Sequence, residues 1–211
     1  MILFPKLICL GGIRMIKIKI WGNITEKTSS LVENAVSSII DEEEPVILVI
    51  NSSGGIMNDA IIIYNLLSGL PNPLITVTMG KCFSAATLIF NCGKKRYITK
   101  HSEYMIHQPS LILSNAYNFS EIKKVKNHLA YTLNIFKKYY LNNNINIPKK
   151  KLDYAFKYGN DLYLNYKECL KYDIATNVFK SWNELLKKEH IDTNKEKILL
   201  FEVSDNLIEE E

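Results

Sequence analysis

An α/β fold built on a mainly parallel sheet is what three features of this 211-residue chain predict. Short apolar or alternating runs of strand length are interleaved with stretches of helical spacing. The connections between them are short, as in strand–helix–strand units. Two polar, glycine-bearing junctions, NSSGG and GKCFS, each follow an apolar run and precede a helical one. In open α/β sheets that junction is where sites form.

The elements follow in order. MIKIKIWG (15–22) alternates apolar and polar residues, the period of a half-buried strand. Over 23–40, Leu31, Val32, Ala35, Val36, Ile39 and Ile40 recur at helical spacing, with Asn23 or Thr25 as the cap. The acidic turn DEEE leads into PVILVI (45–50), a continuous apolar run typical of a parallel strand buried on both faces. A second helix is predicted over 56–70, ended by Pro71 and Pro73, then a third strand, LITVTM (74–79). ATLIFN (86–91) reads as helix, and KRYITK (95–100) and EYMIHQ (103–108) as strands. A long helix spans roughly 118–141 and a Lys-rich one about 149–158. Another helix within YLNYKECLKYDI leads to a final strand near ATNVF (175–179). Composition divides the chain into a main domain, 1–180, and an amphipathic, then acidic extension, 181–211.

Hydrophobic content of 47% and charged content of 23% are those of an ordinary globular protein. No run approaches the roughly 20 apolar residues of a membrane-spanning helix. The opening MILFPKLICLGG lacks a basic leader and reads as a first strand or an entry segment rather than a signal peptide. The net charge of +4 is almost all lysine, Arg14 and Arg96 being the only arginines. KKVK (123–126) and KKK (149–151) come without stacking aromatics or arginine forks, so no nucleic-acid partner is expected. Cys9, Cys82, Cys92 and Cys169 show no C-x-x-C spacing, and read as free thiols of a reducing compartment. Neither a metal nor a cofactor is expected: no phosphate loop or dinucleotide fingerprint is present.

The chemistry therefore rests on the junctions. Gly54 and Gly55 precede a helix, where glycines allow close backbone approach and leave N–H groups to aim at an anion. Ser84 opens the next helix, whose dipole favours negative charge at its hydroxyl. A serine nucleophile needs a base within hydrogen-bond reach. Of the four histidines, His128 lies mid-helix, His190 in the tail and His101 in a turn, whereas His107 ends a strand-like run just before a proline. Asp161, Asp153, Asp173 and Asp59 are all candidates to orient it. A Ser–Lys dyad with Lys81 is a further alternative, disfavoured by its position three residues before Ser84.

INSSGG, IYN, TMGKCFSAATLIF, KRY and MIHQP together resemble the proteolytic subunit of Clp protease, the ClpP family of self-compartmentalising serine peptidases. That family's pattern has INSPGG, MGxAASMGA around the serine and MIHQP around the histidine. DLYLNYKECLKYDIATNVF (161–179) is similar to its DRFLSAxEAxEYGLVD segment, and the resemblance runs from about Met15 to Phe179. It implies repeated ββα units of the ClpP/crotonase type with a protruding long helix. It implies Ser84 as nucleophile, His107 as general base, Asp161 as its orienting partner, and Gly55 and Ala85 as oxyanion donors. It further implies a heptameric ring or double ring, homo- or hetero-oligomeric, that hydrolyses unfolded proteins or short peptides fed by an AAA+ unfoldase. The matching compartment is the cytoplasm, or a plastid stroma for an organelle-encoded chain, not the exterior.

The sequence departs from that pattern at Ser53 in place of proline, at Phe83 and Ala86 around the serine, at Ser110 and Leu111 where Gly-Gly is usual, and at Asn160 in place of an arginine. These departures define the rival reading, a structural ring subunit with weak catalysis. A crotonase-like acyl-CoA enzyme is the third alternative, and it would not need His107 and Asp161.

Overall fold

The computed structural model describes residues 15–39, 45–110, 116–142, 145–191 and 198–204. The lead-in segment with Cys9, the DEEE turn, Leu111 and the final EEE lie outside them.

The described residues begin with β1 (Met15–Trp21), α1 (Glu26–Ser37), β2 (Val46–Ser52), α2 (Met57–Ser68), β3 (Leu74–Phe83) and α3 (Ala85–Phe90). Ile16, Ile18 and Ile20 of β1 point into one core, while Lys17 and Lys19 face the other side. Of the two candidate caps, Thr25 holds the N-cap of α1, and its N–H donates to Thr28 Oγ1 at 3.1 Å. In β2 the alternation splits between two clusters: Val46, Leu48 and Ile50 enter the main core, Ile47 and Val49 a second one. That is why PVILVI reads as unbroken apolar sequence; both faces of the strand are covered.

β4 (Lys95–Ile98) and β5 (Glu103–Ile106) follow, then α4 (Phe119–Asn142), α5 (Lys149–Phe156), β6 (Leu162–Leu164), α6 (Tyr166–Lys171) and β7 (Asn177–Val178). The last elements among the described residues are α7 (Trp182–Lys188) and β8 (Ile198–Ser204). The strands form one sheet in the order β6-β5-β3-β2-β1-β8, with β4 beside β3 and β7 beside β4. Pairing is parallel throughout except between β5 and β6. The fold is α/β with repeated β-α units of the expected type.

Three local expectations are corrected. The third strand does not end at Met79 but continues to Phe83, because the chain is rejoined to the sheet past a bulge. The register with β2 shifts between Ile50 and Ser52, Gly80 takes φ +98°, and the amides left unpaired find side chains. Gly80 N–H donates to Ser102 Oγ at 2.9 Å, and Lys81 N–H to Asn51 Oδ1 at 3.0 Å. One edge of β3 thus serves two neighbours, β4 through residues 75–78 and β5 through residues 81–83. Secondly, 162–164 is a strand, antiparallel to β5 and too short to show a period. Thirdly, β7 is not the last strand: β8 runs parallel to β1, from Met15↔Ile198 to Trp21↔Ser204.

The main core lies under α1, α2 and α3, with the C-terminal half of α4 closing it through Phe136 and Tyr140 against Phe156. The other half of α4 projects, leaving Phe119 and Ile122 exposed. On the opposite face, α7 covers Met15, Ile47, Val49, Ile75, Val77 and Tyr97 with Leu185 and Trp182. Lys17 Nζ sits 3.6 Å from the Trp182 ring centroid, a cation–π contact at that seam. Among the described residues no helix is long and apolar enough to cross a membrane.

Candidate active site

The two glycine-bearing junctions meet in space. Gly54 takes φ +96°, and a Cβ built on it would lie 2.8 Å from both the Phe83 carbonyl oxygen and Ser84 Cβ. Only glycine allows the first junction to seat against the second. Gly55 is pinned on its other side: Ile24 N–H donates to Gly54 O and Ile56 N–H to Ile24 O, both at 2.9 Å. In this extended pairing the N–H of Gly55 itself faces away from Ile24.

Ser84 sits between β3 and α3 with φ 53° and ψ −124°. Positive φ is unfavourable for a residue with a Cβ and costs about 1–3 kcal/mol. The surroundings hold it there: Ser84 N–H donates to Met105 O at 2.9 Å, and Thr87 N–H donates to Ser84 O at 3.0 Å. The Thr87 hydroxyl also bonds to Ser84 O and to the Tyr140 hydroxyl, tying the turn to α4. The N–H of Ala85, at the first position of α3, has no intrahelical acceptor.

The sheet brings the partners in. Met105 lies beside Phe83 in the parallel β3–β5 pair and opposite Tyr163 in the antiparallel β5–β6 pair. The next paired position is Ile106↔Leu162, so His107 and Asp161 leave the sheet side by side. His107 Nε2 lies 2.7 Å from Ser84 Oγ, and His107 Nδ1 lies 3.8 Å from Asp161 Oδ1. The first is a hydrogen bond; the second is ion-pair range, too long for a direct one. The side chains are 31% exposed for His107 and 51% for Asp161.

The other candidates are elsewhere. Asp59 is buried and accepts a hydrogen bond from Ser29 Oγ at 2.8 Å. Asp173 accepts from the Asn146 side chain, and the carbonyl of Asp153 closes the end of α5. His101 and His190 lie in exposed turns and His128 on the exposed flank of α4. Lys81 is exposed, with its ammonium 5.9 Å from the Phe83 ring centroid. Cys82 is the nearest thiol in sequence, but it is fully buried, and burial pushes its thiol well above the ordinary range. The thiolate needed for sulfur nucleophilicity is thereby suppressed.

Residues 13–182 match the family model for Clp protease. The chain belongs to the Clp protease family. Among relatives, this Clp-family chain is 29% identical over 171 residues to the ATP-dependent Clp protease proteolytic subunit of Carsonella ruddii (strain PV), covering 76% of this chain and 82% of that one. It is 32% identical over 95 residues to proteolytic subunit 1 of Chlamydia pneumoniae, covering 42% and 48%. A solved structure, the ClpP1 N165D mutant from Listeria monocytogenes, superposes with a TM-score of 0.70 at 19% identity, over 80% of this chain and 94% of that one. The last likeness speaks for the fold.

Several neighbours of the site carried no individual signal in the sequence. Gln108 donates from Nε2 to Phe156 O at 2.9 Å, fastening the end of α5, from which the chain runs to Asp161. Its place in MIHQP was the only hint. Asn51 and Ser102 serve the bulge before Ser84, and polar residues at a strand end are common enough to pass unnoticed. Tyr163 meets Phe83 edge-on, with ring centroids 5.8 Å apart.

Proposed function

We propose that this Clp-family chain is a serine endopeptidase acting on unfolded proteins or short peptides, with Ser84 as nucleophile, His107 as general base and Asp161 as the group that orients His107. The observation that carries the reading is the 2.7 Å contact between His107 Nε2 and Ser84 Oγ, at a turn whose positive φ presents the hydroxyl. His107 takes the Ser84 proton as Oγ attacks the scissile carbonyl. The N–H groups of Gly55 and Ala85 receive the oxyanion of the tetrahedral intermediate, a role in which one donor is worth about 3 kcal/mol. His107 returns the proton to the leaving amine, and water, activated by the same imidazole, releases the acyl group.

The family relationship supports assembly into an oligomeric ring with the site facing an enclosed chamber, fed by an AAA+ unfoldase. In this reading residues 1–180 are the peptidase unit and 181–211 an extension of it.

A second reading, a ring subunit with weak catalysis, is favoured by the 3.8 Å separation of His107 and Asp161. One experiment separates the two. Intact-mass analysis after treatment with a fluorophosphonate is expected to give a single adduct that disappears in Ser84→Ala. No adduct on the assembled protein would overturn the peptidase reading in favour of the second.

A further inference from the structure

We propose that Tyr163 and Phe83 form an aromatic brace that positions Asp161; the inference rests on the peptidase reading for its chemical consequence, and on geometry alone for the brace itself. β6 is a three-residue strand at the edge of the sheet among the described residues, and Asp161 stands immediately before it. So short a strand offers few ladder hydrogen bonds, and its position depends on side chains. Leu162 and Leu164 supply one anchor, 6% and 2% exposed in the main core. Tyr163 supplies the other on the opposite face, where its ring meets that of Phe83 edge-on at an interplanar angle of 89°.

The contact crosses a strand. Phe83 is on β3 and Tyr163 on β6, with Met105 of β5 in register between them. Adjacent strands lie about 4.8 Å apart, so backbones two strands apart are roughly 10 Å apart. Ring centroids at 5.8 Å therefore mean that the two rings lean toward each other over the intervening strand. Met105 fits this picture, being only 8% exposed while Tyr163 beside it is 55% exposed.

Each braced residue is one or two positions from a member of the site: Phe83 precedes Ser84, Met105 is two before His107, and Tyr163 is two after Asp161. Asp161 itself is half exposed, and among the described residues His107 is the ionisable partner its carboxylate meets. Its distance to His107 is thus set by where β6 lies. Phe83, a bulky departure beside the nucleophile, acquires a purpose in this arrangement: it is the wall against which the edge strand is held.

The test uses Tyr163→Ala, Tyr163→Phe, Asp161→Asn and the Tyr163→Ala/Asp161→Asn double variant of the full chain. The first readout is backbone amide exchange over residues 161–164, which needs no activity. Tyr163→Ala is expected to speed it about tenfold while Tyr163→Phe, which keeps the ring, leaves it near wild type. Unchanged exchange in Tyr163→Ala overturns the brace. The second is the rate of Ser84 phosphonylation by a small fluorophosphonate, which does not depend on peptide binding. Tyr163→Ala is expected to lower it about tenfold, Tyr163→Phe to restore it, and the double variant to fall no further than Asp161→Asn alone. Full additivity in the double variant overturns the link to Asp161. Failure of the wild type to label would instead count against the peptidase reading, with the exchange result still deciding the brace.

Discussion

The two halves of the candidate site are built to different standards. On the Ser84 side, every element is long or buried: β3 runs ten residues, α3 is buried along its whole length, and Gly54 is packed against the turn. On the Asp161 side, a three-residue antiparallel strand and an exposed loop do the positioning. The distances follow, 2.7 Å between Ser84 and His107 against 3.8 Å between His107 and Asp161. Close geometry comes from interior packing, where neighbours cannot yield. At a sheet edge the same register brings residues together but fixes them less tightly.

The sharpest way to break this contrast is at its core-held contact. His107→Ala is expected to lower peptidase kcat/KM by about 10⁴-fold or more without unfolding the chain. Steady-state hydrolysis of a fluorogenic peptide, with circular dichroism as the check on folding, measures both. Gly54→Ala attacks the same half through the backbone. Its Cβ would be 2.8 Å from Phe83 O and Ser84 Cβ at a φ of +96°, so a stability loss of at least about 2 kcal/mol is expected in urea unfolding. A wild-type midpoint would show that the junctions are not packed as described.

On the edge-held half the effects shrink. Asp161→Asn is expected to lower kcat/KM about a hundredfold, less than a fully buried orienting carboxylate would, because water reaches this one. A loss as large as that of His107→Ala would erase the distinction between the halves. Gln108→Ala removes the bond to Phe156 O and is expected to cost about 1 kcal/mol of stability with a few-fold loss of activity. Thermal unfolding and the peptide assay distinguish it from a neutral surface change.

The same division explains what could be read from the sequence. Burial is written in the sequence where a strand is long and its faces are consistently covered, so β1 was legible from the alternation of MIKIKIWG and β2 from the unbroken apolar run PVILVI. Ser84 and His107 were legible as candidates because each stands at a junction between unlike patterns, and the fold brings the two within 2.7 Å. β6 was not, since LYL is too short to show alternation and its direction depends on β5. The continuation of β3 was hidden by Gly80, which reads as a terminator but acts as a bend. Its completion depends on Asn51 and Ser102, 29 residues before and 22 after it. β8 was hidden differently: its partner is β1, at the other end of the chain, and no local pattern announces a pairing so distant. Spacing alone could not choose among Asp59, Asp153, Asp161 and Asp173; the family resemblance pointed to Asp161, and the β5–β6 register is what sets it beside His107.

The bulge at Gly80 also fixes the parity of the strand residues before the serine. Between it and Ser84 the side chains alternate, Cys82 inward and fully buried, Phe83 outward to meet Tyr163. Removing or adding a single residue there would exchange the two, driving an aromatic ring into the space of a thiol and turning the hydroxyl away from His107. The stretch therefore accommodates a change of composition, such as the ring of Phe83, but not of length. In this chain the count of residues from bend to hydroxyl is as much a part of the site as the hydroxyl.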